Sequence, residues 1–382
     1  MLKLSVENWQ YLHSGPLFSA SIKTELSDFE VIEHLSFEPS GDGEHTFLYI
    51  EKTGLNTAYV AEEIAKFAQL PLRAVSYAGR KDKYATTRQW FGIYSGGKHT
   101  KPKTQPDWNT LSIPGVKLLE HTNNQRKLRT GAIKSNQFVI VMRDIFDEST
   151  AHTSTTLLDY AETQIMPRLQ ARLALISKHG APNYYGNQRF GEMIKADGSV
   201  QLGGNLSMAE RLINGEEIRN RNKRSMAISA LRSWLFNQAV SHRLSHLDSN
   251  HLLNGDALAL SGTNSFFIYD QNAKESEHIP TRIAERDVNI TAPLWGKGSL
   301  DTKSAAFDFE QAFAENNTLV CKALAELGLE QQRRALLIHP TDLQANLALD
   351  NNKPTITLSF GLPSGCFATS VLREIAEIKV GA

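Results

Sequence analysis

Apolar and polar positions alternate most clearly in the first hundred residues. Phe29 to Leu35 and His45 to Lys52 read as strands, and the PSGDG between them (Pro39 to Gly43) is turn chemistry, which predicts a hairpin. A helix follows: Asn56 and Thr57 are competent N-caps, Val60, Ile64 and Phe67 recur at helical spacing, and Pro71 ends the segment. Ala74 to Tyr77 and Gln89 to Tyr94 return to strand character, rich in aromatic or β-branched residues. Between them, Arg80 to Lys83 is too charged to bury cheaply and predicts a loop at a sheet end. Residues 95–112 are polar, carry Pro102 and Pro106, and predict a surface loop outside the core.

Further on, Phe138 to Met142 (FVIVM) is an unbroken apolar run of strand length. Asp147 to Lys178 reads mostly helical through Leu157, Leu158, Ile165, Leu169, Leu173 and Ile176, and Gly180 and Pro182 close it. A second helical stretch, rich in basic residues, runs from about Asn222 to His246, and a third from about Ala305 to Leu337. Thr355 to Phe360 is a strand of alternating character, followed by LPSG and a new helix start. At 382 residues the chain exceeds what one compact core usually organises, so two domains are expected.

Composition narrows the class. With 41% apolar and 21% charged residues, and no apolar run near the roughly 18 residues of a membrane helix, the chain reads as soluble. MLKLSVENWQYLHSG lacks the basic, apolar and small-residue succession of a secretion signal, so a cytoplasmic protein is expected. Cys321 and Cys366, the two cysteines, stand far apart and outside any Cys/His cluster, which indicates neither a disulfide framework nor a zinc knuckle. Lys plus Arg equal Asp plus Glu at 41 each, so a polyanion site would have to be a local patch.

The segment AGRKDKYATTRQW (Ala78 to Trp90) sets one carboxylate, Asp82, among Arg80, Lys81 and Lys83. By pattern alone this is a solvated turn; the functional alternative is a carboxylate kept ionised by cations that also draw in a phosphate backbone. Four further blocks follow in order: KLRTGAIKSNQFVIVMRD (Lys127 to Asp144), APNYYGNQRFG (Ala181 to Gly191), RNKRSMAISALRSWLFNQ (Arg221 to Gln238) and LPSGCFATSVLRE (Leu362 to Glu374). Together the five blocks resemble the TruD family of pseudouridine synthases, over a span from about Ser21 to the C-terminus, with the A-G-x-K-D-K segment the most specific.

That resemblance implies an α/β (α+β) fold. A pseudouridine-synthase catalytic domain with a mixed, largely antiparallel sheet would comprise residues 1–179 and 339–382, interrupted by an inserted α/β domain over 180–338. It implies Asp82 as the catalytic carboxylate and Phe29, Asn136 and Phe367 around the target base, with Phe138 and Lys23 nearby. Aromatic faces can hold an unstacked base at roughly 1–3 kcal/mol each, and an amide can donate to and accept from uracil's edge. Arg80, Lys81 and Lys83, with Arg221, Lys223 and Arg224, are the phosphate-contact candidates, the last three in a basic run with Arg219 and Arg232 interleaved with Trp234 and Phe236. The implied substrate is uridine 13 in the D-arm of a transfer RNA, with no cofactor, no metal, no membrane and a monomeric enzyme.

Other patterns are set aside. His242 and His246 have the i,i+4 spacing of zinc ligands but no Glu follows the first His, so they read as surface residues. Gly41 with Gly43, GKGS at Gly296 to Ser299, and Gly255 with Asp256 read as turns. A noncatalytic RNA-binding protein and a nucleoside or glycoside hydrolase are the rival classes; the intact Asp82 speaks against the first, and the second would want another well-placed acid.

Overall fold

The computed structural model describes residues 4–6, 9–94, 106–147, 157–194, 200–263 and 265–380. Two compact units emerge: one of Pro16–Ser177, Pro340–Ala368 and Ile375–Ala382, the other of Met1–Gly15, Lys178–His339 and Thr369–Glu374. The first unit begins with β1 (Phe18–Ile22), β2 (Phe29–Leu35), β3 (His45–Thr53), α1 (Thr57–Phe67), β4 (Val75–Tyr77), β5 (Thr86–Tyr94), β6 (Val116–Asn124) and β7 (Ile133–Phe146). The helical turn α2 (Leu157–Tyr160) leads through π-helical Ala161–Ile165 into α3 (Met166–His179). In the other unit lie β8 (Ala181–Pro182), β9 (Glu192–Ile194), β10 (Val200–Leu202), α4 (Gly204–Ile213), α5 (Arg221–His246), β11 (Ala257–Leu260) and β12 (Phe266–Ile268). It continues with α6 (Ile279–Ala284), β13 (Val288–Leu294), α7 (Ser304–Asn316), α8 (Thr318–Glu326), β14 (Gln332–Ala335) and β15 (Leu337–Ile338). The chain closes with β16 (Thr341–Asp350), β17 (Lys353–Pro363), α9 (Ala368–Leu372) and β18 (Ala376–Val380).

Strands from both ends of the chain build one 10-stranded mixed sheet with central order β16-β17-β7-β2-β5-β3-β6. Only β2–β5 and β1–β18 pair in parallel within it. The expected mixed, largely antiparallel α/β architecture is what the chain adopts. Helix α1 buries Val60, Ala61, Ile64 and Ala65 against Leu48 and Ile50 of β3 and Phe91 and Ile93 of β5. This is the apolar stripe that its 3.6-residue spacing dictates.

The predicted hairpin does not form. β5 lies between β2 and β3, parallel to the first and antiparallel to the second, so the PSGDG link must pass beyond it. That link is tied to the end of β6: the Gly41 N–H donates to Asn123 O at 3.0 Å, and a Cβ on Gly43 would meet the Asn124 backbone at 2.6 Å. Turn residues report a change of direction and not which strand comes next.

Other expectations shift too. The third helical stretch ends early: α8 stops at Glu326, Gly328 takes a left-handed φ of +82°, and Gln332–Ala335 joins a sheet with β13. Pairing with Thr291–Leu294 overrides the weak strand propensity of QRRA. Of the expected surface loop, residues 95–105 lie outside the described residues; within 106–112, Trp108 is buried against Phe67 with ring centroids 5.8 Å apart. Residues 148–156 of the predicted helix also lie outside the described residues.

The second unit packs Leu231, Leu235 and Phe236 of α5 against Leu206 and Ala209 of α4 and Leu324 of α8. Beyond them, Arg243 makes a bidentate pair with buried Asp256 at 2.8 and 2.7 Å, so Asp256 is a core anchor rather than a plain turn residue. Its neighbour Gly255 has φ +91°, and a Cβ there would lie 1.8 Å from Lys303 O. Among the described residues no helix is long and apolar enough to cross a membrane.

A contrast between glycines follows. At Gly262, with φ +74° and nothing within 4 Å of an added Cβ, substitution by Ala is expected to cost roughly 1–2 kcal/mol for the left-handed backbone alone. Gly255→Ala must also displace the Lys303 backbone and should cost clearly more. Urea unfolding of both variants measures the difference, and equal costs would show that the segment gives way freely.

Candidate active site

The loop from Gly79 to Lys83 is held by polar side chains from the elements beneath it. Gln89 of β5 donates to Gly79 O at 3.3 Å, and Thr57, the first residue of α1, accepts the Lys81 N–H at 3.0 Å and donates to Gln89 Oε1 at 2.9 Å. Lys52 of β3 donates to Asp82 O at 2.9 Å and to Leu55 O at 2.7 Å. Lys81 turns inward: its Nζ meets Glu33 Oε2 of β2 at 2.8 Å and Asn136 Oδ1 of β7 at 2.5 Å. Glu33 and Asn136 are register partners across β2 and β7, so one ammonium reaches both. Glu33 Oε1 accepts the Trp90 N–H at 3.2 Å, which satisfies the carboxylate's other oxygen.

On this support stands Asp82. Its Oδ2 pairs with Lys23 Nζ, its Oδ1 accepts the Tyr84 N–H at 3.1 Å, and its side chain keeps 16% of its surface exposed. Asp82 is therefore partly sheltered and ion-paired, unlike the solvated turn that the pattern alone suggests. Lys23 follows β1 with φ +58°, a backbone that disfavours non-glycine residues and here aims its ammonium at Asp82. That ammonium also lies 4.5 Å from the Phe29 ring centroid, which links the carboxylate to an aromatic wall. Phe29 meets Phe138 edge-on at 6.2 Å, and Phe138 stacks on Phe360 at 5.6 Å. With its Oδ1 turned to Lys81, Asn136 has its Nδ2 left to donate.

The remaining sequence-selected residues sort differently. Phe367 is half-buried just beyond β17. Arg80 and Lys83 are exposed, as are Arg219, Arg221, Lys223 and Arg224 around the start of α5. Lys81 is not on the surface: its side chain keeps 6% exposure and is paired with Glu33. Arg232 donates within its own unit to Leu294 O and Glu330 O at 2.7 and 2.6 Å, and Trp234 and Phe236 are buried. His242 is half-buried against Phe309 and Phe313 rather than on the surface, and burial lowers its pKa. Among the described residues no group of three or more His, Cys, Asp and Glu could hold a metal ion.

Sequence reasoning missed Glu33, Lys52, Thr57 and Gln89. Glu33 and Lys52 had a signal: Phe29, Val31 and Glu33 share the buried phase of β2, and Leu48, Ile50 and Lys52 share that of β3, so a charge stands where the pattern calls for an apolar side chain. Lys52 is wholly buried, and desolvation pulls its pKa down to about 8 against the opposing pull of Asp82.

Comparison with known proteins identifies the family. The family profile described as tRNA pseudouridine synthase D (TruD) matches residues 5–200 and 216–375. The chain belongs to the TruD family. Members named tRNA pseudouridine synthase D include one from Pseudoalteromonas atlantica, 46% identical over 376 residues and covering 98% of each chain. Another, from Aeromonas salmonicida, is 40% identical over 374 residues, 98% of this chain and 95% of the relative. The TruD fold is also seen in a crystal structure assigned as tRNA pseudouridine synthase D from Methanosarcina mazei, with TM-score 0.69, 16% identity and coverage of 96% of this chain and 95% of that one.

Lysines on either side of Asp82 should behave oppositely. Lys81→Met leaves buried Glu33 without its cation and is expected to cost about 3–5 kcal/mol in urea unfolding, whereas Lys83→Ala should stay within about 0.5 kcal/mol. Comparable effects would mean that Glu33 finds another partner.

Lys52 makes a pH-dependent prediction. Its folded pKa lies below the unfolded value of 10.5, so between about pH 8 and 10.5 the unfolded chain binds the extra proton and stability from this group rises with pH. Below pH 8 the cost of burying the charge is fully present. Wild-type Tm should therefore gain on that of Lys52→Met as pH increases from 8 to 10; a constant difference would show that Lys52 titrates normally.

Proposed function

We propose that this chain is a transfer-RNA pseudouridine synthase, an isomerase that converts uridine 13 of the D-arm to pseudouridine in the cytoplasm, as a monomer with Asp82 as its catalytic carboxylate. The observation that carries this reading is the Asp82 carboxylate paired with Lys23 beside Phe29, on a loop anchored by buried polar groups. A reaction that only rearranges bonds needs such an arrangement: one oriented carboxylate, a place for a flipped base and a rigid support.

In the reaction the C1′–N1 bond breaks, the uracil turns, and a C1′–C5 bond forms, with one proton lost from C5 and one gained at N1. No water or redox partner enters. Either an Asp82 oxygen attacks C1′ and is later displaced by C5, or it removes the C2′ proton to give a glycal and the proton is later returned. Lys23 orients the carboxylate in both routes. Phe29, Phe138 and Phe367 would enclose the base, with Asn136 Nδ2 donating to the C4 carbonyl of uracil, where cytosine carries an amino group instead. Arg80, Lys83, Arg221, Lys223 and Arg224, all exposed, would contact phosphates. The domain built from residues 1–179 and 339–382 would be catalytic, and 180–338 the insertion that helps select the RNA.

Asp82→Asn tests the assignment. It keeps an acceptor for the Tyr84 N–H and removes the charge that pairs with Lys23. Stability should fall by about 1–3 kcal/mol, between a surface and a buried pair, and the protein should still fold. RNA affinity should hold while single-turnover tritium release from 5-tritiated uridine in transfer RNA stops. Pseudouridine formation near the wild-type rate would exclude Asp82.

A further inference from the structure

Beside the anchored loop lies a groove of about 770 Å³, within the ~300–1,000 Å³ usual for ligand sites, bounded by α1, β4 and residues 127–130. Ala58 and Ala61 give α1 a smooth wall there, and Tyr77 of β4, half-buried and in T-shaped contact with Phe91, presents an aromatic ring. The opposite rim carries Lys127 and Arg129, both exposed and neither ion-paired among the described residues. Leu128 between them is 1% exposed and packs with Phe47 and Ala78. It fills the space that Gly92 leaves, where an added Cβ would lie 2.9 Å from the Leu128 Cβ. The two cations are thus carried on an anchored segment, and among the described residues no acidic side chain lines the groove.

We propose that this groove binds the RNA strand next to the target uridine, with a base on Tyr77 and phosphates on Lys127 and Arg129. The inference rests on the function proposed above. Cations on one rim, an aromatic ring and small apolar walls are the elements of sequence-tolerant single-strand binding. Continuity favours the substrate over another polyanion: Tyr77 is the last residue of the strand that enters the Asp82 loop, and Ala58 follows Thr57, which accepts the Lys81 N–H.

The test compares wild type with Lys127→Ala/Arg129→Ala, Tyr77→Leu and Tyr77→Phe, by fluorescence anisotropy with an unmodified transfer-RNA transcript at several salt concentrations and by tritium release. Charge removal should weaken binding on the order of tenfold and lower the log–log salt slope by about 1.4, because each single-strand phosphate contact contributes about 0.7. Turnover at saturating RNA and Tm should be unchanged. Tyr77→Leu should weaken binding about tenfold at unchanged salt slope, with Tyr77→Phe close to wild type, since stacking needs the ring and not the hydroxyl. If the folded double variant binds with wild-type affinity and slope, the groove is off the RNA path. RNA binding without tritium release in the wild type overturns the proposed activity while the groove is still judged by binding; no wild-type binding overturns both.

Discussion

The ammonium of Lys81, enclosed by Glu33 and Asn136, is the interaction on which the site depends. An unpaired charge at that depth would cost several kcal/mol, so the loop carrying Asp82 has one low-energy position, the one in which Lys81 meets Glu33. The remaining anchors, from Lys52, Thr57 and Gln89, fasten backbone atoms on either side of Asp82. Rigidity is therefore built into the main chain on both sides of Asp82, while the carboxylate pairs with Lys23 and accepts the Tyr84 N–H.

Much of this was legible in sequence, for definite reasons. Strands β2, β3 and β7 and helices α1 and α5 announce themselves because alternation and 3.6-residue spacing are local properties. Strand order is not local: β2 and β3 are separated by β5, and nothing within either segment records that. Likewise, QRRA has no strand character of its own and becomes β14 because β13 offers it a partner.

For the site, the family resemblance pointed to Asp82, Lys23, Phe29, Asn136 and Phe138, which the fold brings to one neighbourhood through the β2–β7 register and the Lys81 and Lys23 side chains. What the motif could not convey was the direction of each side chain. Lys81 and Lys83 look equivalent on paper, yet one is enclosed and the other exposed. The missed anchors, Glu33, Lys52 and Gln89, break the apolar phase of their strands. A charged residue in the core-facing phase reports a buried partner and is more informative than one on the surface phase.

The order of synthesis has a bearing on when the site can exist. Phe360, which stacks on Phe138, lies on β17 close to the end of the chain, and β17 pairs with β7 through Lys353–Pro363, more than two hundred residues after β7 was made. While the ribosome is still extending the chain, one edge of β7 has no strand beside it and the aromatic wall lacks its outer layer. Such late, distant closure is slow. It also means that a prematurely ended chain could carry Asp82 and its anchors and yet lack the strand and the Phe360 ring that back Phe138.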